Sequence, residues 1–286
     1  MSAVLKVTFA MLTAWLLAGC TALRLAYDNA DTYLHYRINT YVDLDGKASE
    51  ELDERIDEFF RWHRRNALPT YARIAEESAR RLGDGISRDD LVWGYDSVVA
   101  NARQSLRVAA ERIAPLLDRL TAEQAANMEK RFAEDNRRFA REFLRGSEAE
   151  RRKRRAKRVE ERLEDWVGNL SQSQIERVRQ YSERAPLYDE LRERDRKRLQ
   201  SELLDMVRKR EAQKRLPERA ANWERGRDPA YTAASERARE EFMTLLLDLD
   251  RAMTPEQRAR AQAHFRRYAE DFTVLARRTA AGQDPR

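Results

Sequence analysis

One cysteine, nine glycines, seven prolines and three histidines are all that this 286-residue chain has of those types. With no second thiol, no intramolecular disulfide can form, so stability must come from packing. So little glycine and proline leaves few turns for a many-stranded fold, and alternating runs of Val, Ile and Thr are nearly absent. His35, His63 and His264 fall in no His-x-x-x-His or His-Glu-x-x-His spacing, which leaves a zinc site without support. No Gly-x-Ser-x-Gly elbow and no phosphate-cradling glycine loop occurs. Asp43, Asp45 and Glu54 match the first, third and twelfth places of a calcium loop. Lys47 and Ala48 stand where a further ligand and a glycine are required, so that reading fails. No catalytic constellation, metal site or cofactor is expected.

Charged residues make up 37% of the chain and apolar ones 42%. That balance implies long helices with thick solvated faces, and is too apolar for a disordered chain. The expected fold is all-α: an elongated multi-helix bundle with repeated capped helices. The formal charge is +6, carried by 48 arginines and only eight lysines, and the sequence pI is near 9.5. A basic balance would ordinarily raise nucleic-acid binding. The N-terminus argues against that partner.

Lys6 precedes the apolar stretch Val7 to Ala18, and the small residues of Leu17-Ala18-Gly19-Cys20 close it. This is the layout of an export signal, too short for a membrane span because Arg24 and Asp28 follow so soon. The tetrad resembles the bacterial lipobox. That resemblance implies a signal peptide over 1–19, diacylglycerol on the Cys20 thiol and an acylated new amino terminus. Each buried CH₂ adds about 0.8 kcal/mol of attachment, so two or three chains hold durably where one does not. Thr21 stands where an aspartate would suggest inner-membrane retention; the outer membrane facing the periplasm is favoured. Lipid phosphates or acidic envelope proteins are then the natural counter-charges.

The mature part, 20–279, reads as helical throughout, with a possible subdivision near residue 146 and a frayed tail over 280–286. Tyr27, Leu34 and Tyr41 recur at sevens and predict a helix over Leu23–Tyr41. Ser49 is the expected cap of the next helix, which Leu68-Pro69 should break. Thr70 to Leu82 reads as a short helix, and Ser87 as the start of the one after it; Pro115 would kink that helix or open a new one. Arg151 to Arg158, flanked by acids, reads chiefly as a solvated helix face, with a lipid or client patch as the alternative. Leu187 to Leu216 reads as one long helix, Pro217 and Gly226-Arg227-Asp228-Pro229 as loops, and Ser235–Met253 and Pro255–Arg278 as the last two helices. Core packing is the default for Trp62, Trp93, Trp166 and Trp223.

One pattern recurs. Leu120-Thr121-Ala122-Glu123-Gln124, Leu170-Ser171-Gln172-Ser173-Gln174 and Met253-Thr254-Pro255-Glu256-Gln257 each precede a helix. Each is followed, about three and five turns on, by aromatics: Phe132 and Phe139, Tyr181 and Tyr188, Phe265 and Phe272. A hydroxyl with a glutamine three residues later is a capping box, in which each side chain satisfies the other's free backbone amide. The same motif resembles the Leu-Thr-x-x-Gln of Spy-type periplasmic chaperones, small all-helical proteins that bind unfolded clients on basic and apolar surfaces. Helix starting and client binding both remain open for it at this point.

A second resemblance covers more of the chain. The lipobox, Tyr27-Asp28-Asn29-Ala30-Asp31, Tyr41-Val42-Asp43-Leu44, Trp62-His63-Arg64, Leu68-Pro69-Thr70-Tyr71-Ala72 and Asp135-Asn136-Arg137 look like an uncharacterised family of proteobacterial lipoproteins. The resemblance implies location and helical character but no activity. Where relatives have a full capping motif after Val42, this chain has Leu44-Asp45-Gly46-Lys47-Ala48, a copy without its glutamine. The leading expectation is a lipid-anchored periplasmic binding protein, chaperone-like or linked to envelope stress. Tyr27, Trp62, Phe132, Phe139, Tyr181, Phe265 and Phe272 would grip clients, and Arg137, Arg138, Arg266 and Arg267 would steer acidic ones. The alternative is a scaffold lipoprotein docking a fixed envelope partner.

Overall fold

The computed structural model describes residues 22–281. The signal segment and Cys20 lie outside them, as do residues 282–286. Among the described residues the fold is an all-α multi-helix bundle of eleven helices and two π turns, with no strand. A helical stretch over 22–28 leads into α1 (Ala30–Val42). Then come α2 (Gly46–Trp62), the π turn His63–Ala67, α3 (Leu68–Gly83) and α4 (Arg88–Leu117). After these run α5 (Ala122–Phe139), the π turn Ala140–Leu144, α6 (Glu148–Val167), α7 (Gln172–Arg184), α8 (Asp189–Lys209), α9 (Ala212–Ala221), α10 (Pro229–Arg251) and α11 (Pro255–Ala281).

Several local expectations are corrected. The first helix is interrupted by a turn at Asn29, and α1 stops at Asp43 in the left-handed conformation (φ 50°). There the Asn39 side chain accepts from the Leu44 amide at 2.6 Å. α2 starts at Gly46 behind Asp45, not at Ser49; the Ser49 hydroxyl lies 3.4 Å from His35 Nε2 instead. Pro69 does not break the rod. The π turn His63–Ala67 widens the helix one turn ahead of it, and Leu68 keeps helical angles. The wider turn makes room for a ring that would otherwise press on the carbonyl four residues back. Pro115 sits in the last turn of α4 and opens no new helix, and Pro217 lies inside α9, not in a loop.

The expected helix Leu187–Leu216 is two. Arg210 turns left-handed (φ 55°) and the Glu211 amide donates back to the Met206 carbonyl at 2.8 Å, which closes α8. The Asp118 carboxylate then accepts from the Ala212 and Gln213 amides at 2.6 and 3.1 Å and opens α9. A long-range acceptor, invisible in the local pattern, sets that boundary. α7 ends at Arg184, ahead of Pro186, so Tyr188 is off the helix. α10 begins at Pro229, where Asp228 accepts from the Ala230 amide at 2.8 Å, not at Ser235.

Three buried clusters hold the helices. The first joins α1, α2, α4, α5, α8 and α9 around Leu52, Ile56, Phe60, Met128 and Met206. The second joins α6, α7 and α10 around Val178, Tyr181, Leu245 and Leu249. The third joins α3, α6 and α11 at Leu82, Val167 and Ala261. Leu52, Leu68, Leu245 and Leu275 are fully buried and contribute about 2 kcal/mol each by area. α11 lies along α3, and Arg24 ties the start of the described chain to it through Asp271 (2.5 Å) and Glu270 (3.2 Å). The last helix therefore returns to the start of the described chain.

Candidate functional site

The three repeated motifs form three complete capping boxes. Thr121, Ser171 and Thr254 accept from the amides of Gln124, Gln174 and Gln257 at 3.2, 3.3 and 3.2 Å. The glutamine oxygens accept from the cap amides at 2.9, 2.9 and 3.1 Å. Two further boxes, Ser87 with Asp90 and Ser147 with Glu150, open α4 and α6. Both follow the Ser-x-x-acid spacing; Ser87 is among the expected starts, and the same spacing is the signal that would have found Ser147.

The glutamines also reach across helices. Gln174 and Gln257 face each other and exchange two hydrogen bonds, of 2.8 and 3.1 Å. Gln174 Nε2 donates its other hydrogen to the Ala252 carbonyl at 3.1 Å, and Gln257 Nε2 to the Asn169 carbonyl at 2.9 Å. Ala252 and Asn169 each stand two residues before the other box's cap, so the two helix starts interlock about a local two-fold. Both amides use every donor and acceptor they own, which lets Gln174 sit 1% exposed without a desolvation penalty.

The starts of α2 and α5 are joined the same way, but on one side only. Gln124 Nε2 donates to the Asp43 carbonyl at 3.1 Å, two residues before the cap position Asp45. The return bond, from residue 48 to the Arg119 carbonyl, is missing because residue 48 is alanine. A cleft of about 670 Å³ lined by Asp45, Ala48, Arg119, Thr121 and Gln124 occupies the place. Ala48→Gln is expected to complete the pair and raise stability by about 1 kcal/mol. Urea unfolding checks this; an unchanged midpoint would show that the cleft does not admit the side chain in that rotamer.

The candidate client aromatics are not brought together on one open face. Phe139 and Tyr181 are buried and the others half-buried. Phe132, Phe139 and Tyr181 pack apart from the rest, whereas Tyr27, Trp62, Phe272 and Phe265 lie along one run of touching rings that passes through His63, Tyr71 and Trp166. Phe132 packs on Tyr41 (5.5 Å between ring centres), Tyr181 on Phe242 (5.6 Å), Phe265 on Trp166 (4.7 Å) and Phe272 on Tyr71 (5.7 Å). Tyr27 meets Phe60 edge-on, and Trp62 stacks on Phe59. Arg137, Arg138, Arg266 and Arg267 are exposed on α5 and α11. Among the described residues Leu25, Tyr33 and Tyr36, each more than 60% exposed, are the most exposed large apolar side chains. Among the described residues no helix is long and apolar enough to cross a membrane, and no three of His, Cys, Asp and Glu converge as metal ligands would.

Tyr27 and His63 share a hydrogen bond of 2.8 Å at the π turn, with Phe59, Trp62 and Tyr71 around the imidazole. Burial, helped by the neighbouring Arg64, pulls the His63 pKa down to about 4. The native state therefore holds this ring neutral, and its contribution is present above the unfolded pKa near 6.5 and lost as pH falls toward 4. Going from pH 7 to pH 5 is expected to cost about 2 kcal/mol through this group alone. His63→Phe should flatten that part of the pH profile in denaturant titrations; an unaltered slope would refute the assignment.

The basic run of α6 is not simply a solvated face. Arg152 donates to the carbonyls of Ser182, Glu183 and Ala185 at 3.0, 2.7 and 3.1 Å. Arg155 donates to those of Ser182, Ala185 and Pro186 at 2.6, 2.7 and 2.8 Å. The two guanidiniums satisfy carbonyls that the end of α7 leaves without helical donors. Desolvation by burial draws the Arg155 pKa below its usual value. Arg151 is buried against Glu190 and Asp189. Lys153, Lys157 and Arg158 remain exposed. The four- and three-residue steps from Arg151 to Arg155 to Arg158 place these three on one face, yet Arg158 stays exposed, so the spacing alone does not tell which arginines turn inward.

The site geometry thus defines a class: an all-helical protein whose helix starts are cross-linked by capping glutamines. The chain belongs to the family of unknown function DUF6279, which matches residues 40–232. No curated protein and no solved structure matches the chain.

Proposed function

We propose that this protein is a lipid-anchored scaffold of the cell envelope, a non-enzymatic binding protein that presents a preformed helical surface to one fixed partner. The observation that favours this over client gripping is that the repeated aromatics and capping glutamines are engaged inside the bundle. A chaperone of the Spy type needs such groups on an open face, free to adapt to many sequences. Anchoring rests on the tetrad ending at Cys20. It is supported by the exposed Leu25, Tyr33 and Tyr36 that follow it, side chains suited to a membrane interface.

In-cell crosslinking tests the reading. One dominant envelope partner is expected, together with no suppression of client aggregation at stoichiometric protein. A broad spread of unfolded partners with strong suppression would overturn the scaffold in favour of the chaperone. Cys20→Ser should leave the chain unlipidated and shift it from the membrane to the soluble fraction; unchanged fractionation would overturn the anchor.

A further inference from the structure

The basic face of α6, the first turns of α8 and the π turn Ala140–Leu144 enclose a cleft of about 220 Å³. Five arginines line it against two carboxylates, Glu142 and Asp189, and with Glu190 bound to Arg151 beside them the local excess is two positive charges (5 − 3). Three of the five are accounted for. Arg151 is committed to Glu190 as a two-pronged pair, with Asp189 at 3.4 Å. Arg155 is spent on three carbonyls, and Arg154 donates to the Arg145 carbonyl. Arg158 and Arg192 have neither an ion-pair partner nor a side-chain hydrogen bond among the described residues, although acids are plentiful elsewhere on the surface.

Both free guanidiniums are nevertheless held. Arg158 lies 5.6 Å from the centre of the Phe143 ring, and Arg192 lies 5.3 Å from the centres of both Phe143 and Phe139. One aromatic ring thus gathers two like charges at the same cleft, and neither is ion-paired with Glu142 or Asp189, the carboxylates that line it. Stacking restrains the planar groups while leaving their N–H forks open, so less rotamer freedom is lost when an anion arrives. The repulsion between them is relieved by an anion that both can grasp.

We infer that this cleft binds a phosphate monoester, with Arg158 and Arg192 as its two forks and Phe143 as the wall behind them. A carboxylate offers one edge, as Glu190 does to Arg151. A tetrahedral dianion offers several edges and can accept two guanidinium forks at once. Two sources share this chemistry: a small soluble phosphate monoester and the monoester headgroup of phosphatidic acid.

The test uses the full-length chain in neutral detergent with calorimetry. The probes are glycerol 3-phosphate, a short-chain phosphatidic acid and, as the carboxylate control, glycerate. Saturable one-to-one binding is expected for a phosphate probe, and weaker binding for glycerate. Arg158→Gln/Arg192→Gln should weaken phosphate binding at least about tenfold, while Arg137→Gln/Arg138→Gln, which removes the same charge from exposed positions on α5, should change it less than about twofold. Arg158→Lys/Arg192→Lys keeps the charge and loses the forks, so it should weaken binding about fivefold. It also serves as the reading should the glutamine pair unfold, as circular dichroism would reveal. Binding of both phosphates assigns recognition to the headgroup alone, and binding of phosphatidic acid only assigns it to lipid. No saturable phosphate binding, equal weakening by the two glutamine pairs, undiminished affinity in the lysine pair, or glycerate binding as tightly as phosphate would each overturn the site.

Discussion

Gln174→Ala is expected to destabilise the protein by about 3 kcal/mol, far more than an exposed cap residue would. About 1 kcal/mol is the cap itself, as the Ser171 amide loses its acceptor. The remainder comes from what is left behind. The Ala252 carbonyl loses a donor, and the buried Gln257 amide loses its partner on both atoms; an orphaned buried polar group costs about 1–3 kcal/mol. Removing both glutamines should cost less than the two single losses added together, because neither amide is then stranded. The double-mutant cycle should show a coupling of about 2 kcal/mol. Ser171→Ala, which touches the cap alone, should cost about 1 kcal/mol. Urea unfolding of the four variants decides the matter. Equal losses for Gln174→Ala and Ser171→Ala would mean that the cross-helix bonds contribute nothing.

Arg155→Met should cost about 3 kcal/mol as well, for a related reason. Methionine preserves most of the apolar stem but withdraws the donors that serve three carbonyls, Ser182 in the last turn of α7 and Ala185 and Pro186 just past it. Arg152 reaches the Ser182 and Ala185 carbonyls too, but Pro186 would be left with none of these bonds. The positive charge at the negative end of α7 would also go. Arg155→Lys should recover less than half of the loss, since one compact ammonium on a flexible stem cannot span three acceptors. Lys153→Ala, in the same basic run but exposed, should stay within about 0.5 kcal/mol of the parent. Similar losses for Arg155→Met and Lys153→Ala would return the run to a plain solvated face.

These cases separate what was legible from what was not. Thr121, Ser171 and Thr254 could be identified as helix starts because a capping box closes within four residues and needs no tertiary partner. Ser87 and Ser147 belong to the same group. Asp45, which displaces Ser49 as the start of α2, could not be identified this way: Asn39 and the left-handed Asp43 set that turn from the preceding helix. The Arg210 break was hidden because its stabiliser, Asp118, lies more than ninety residues away in sequence. Leu68-Pro69 reads locally as a break because a local rule sees the missing amide but not the buried Ala67 and Leu68 that keep the rod whole.

For the candidate site the division is sharper. The sequence by itself determined that the chain is helical and where most helices begin, because propensity, caps and the spacing of apolar residues act over a few turns and carry their own energy. It could not say which members of a uniform arginine run turn inward, or that the repeated aromatics would be spent in separate cores. It also could not show that two capping glutamines would meet or that a third would find alanine where its partner belongs. Those outcomes depend on which helix ends come into register across the bundle. Only the folded arrangement sets that register, because the helix ends that meet are far apart along the chain.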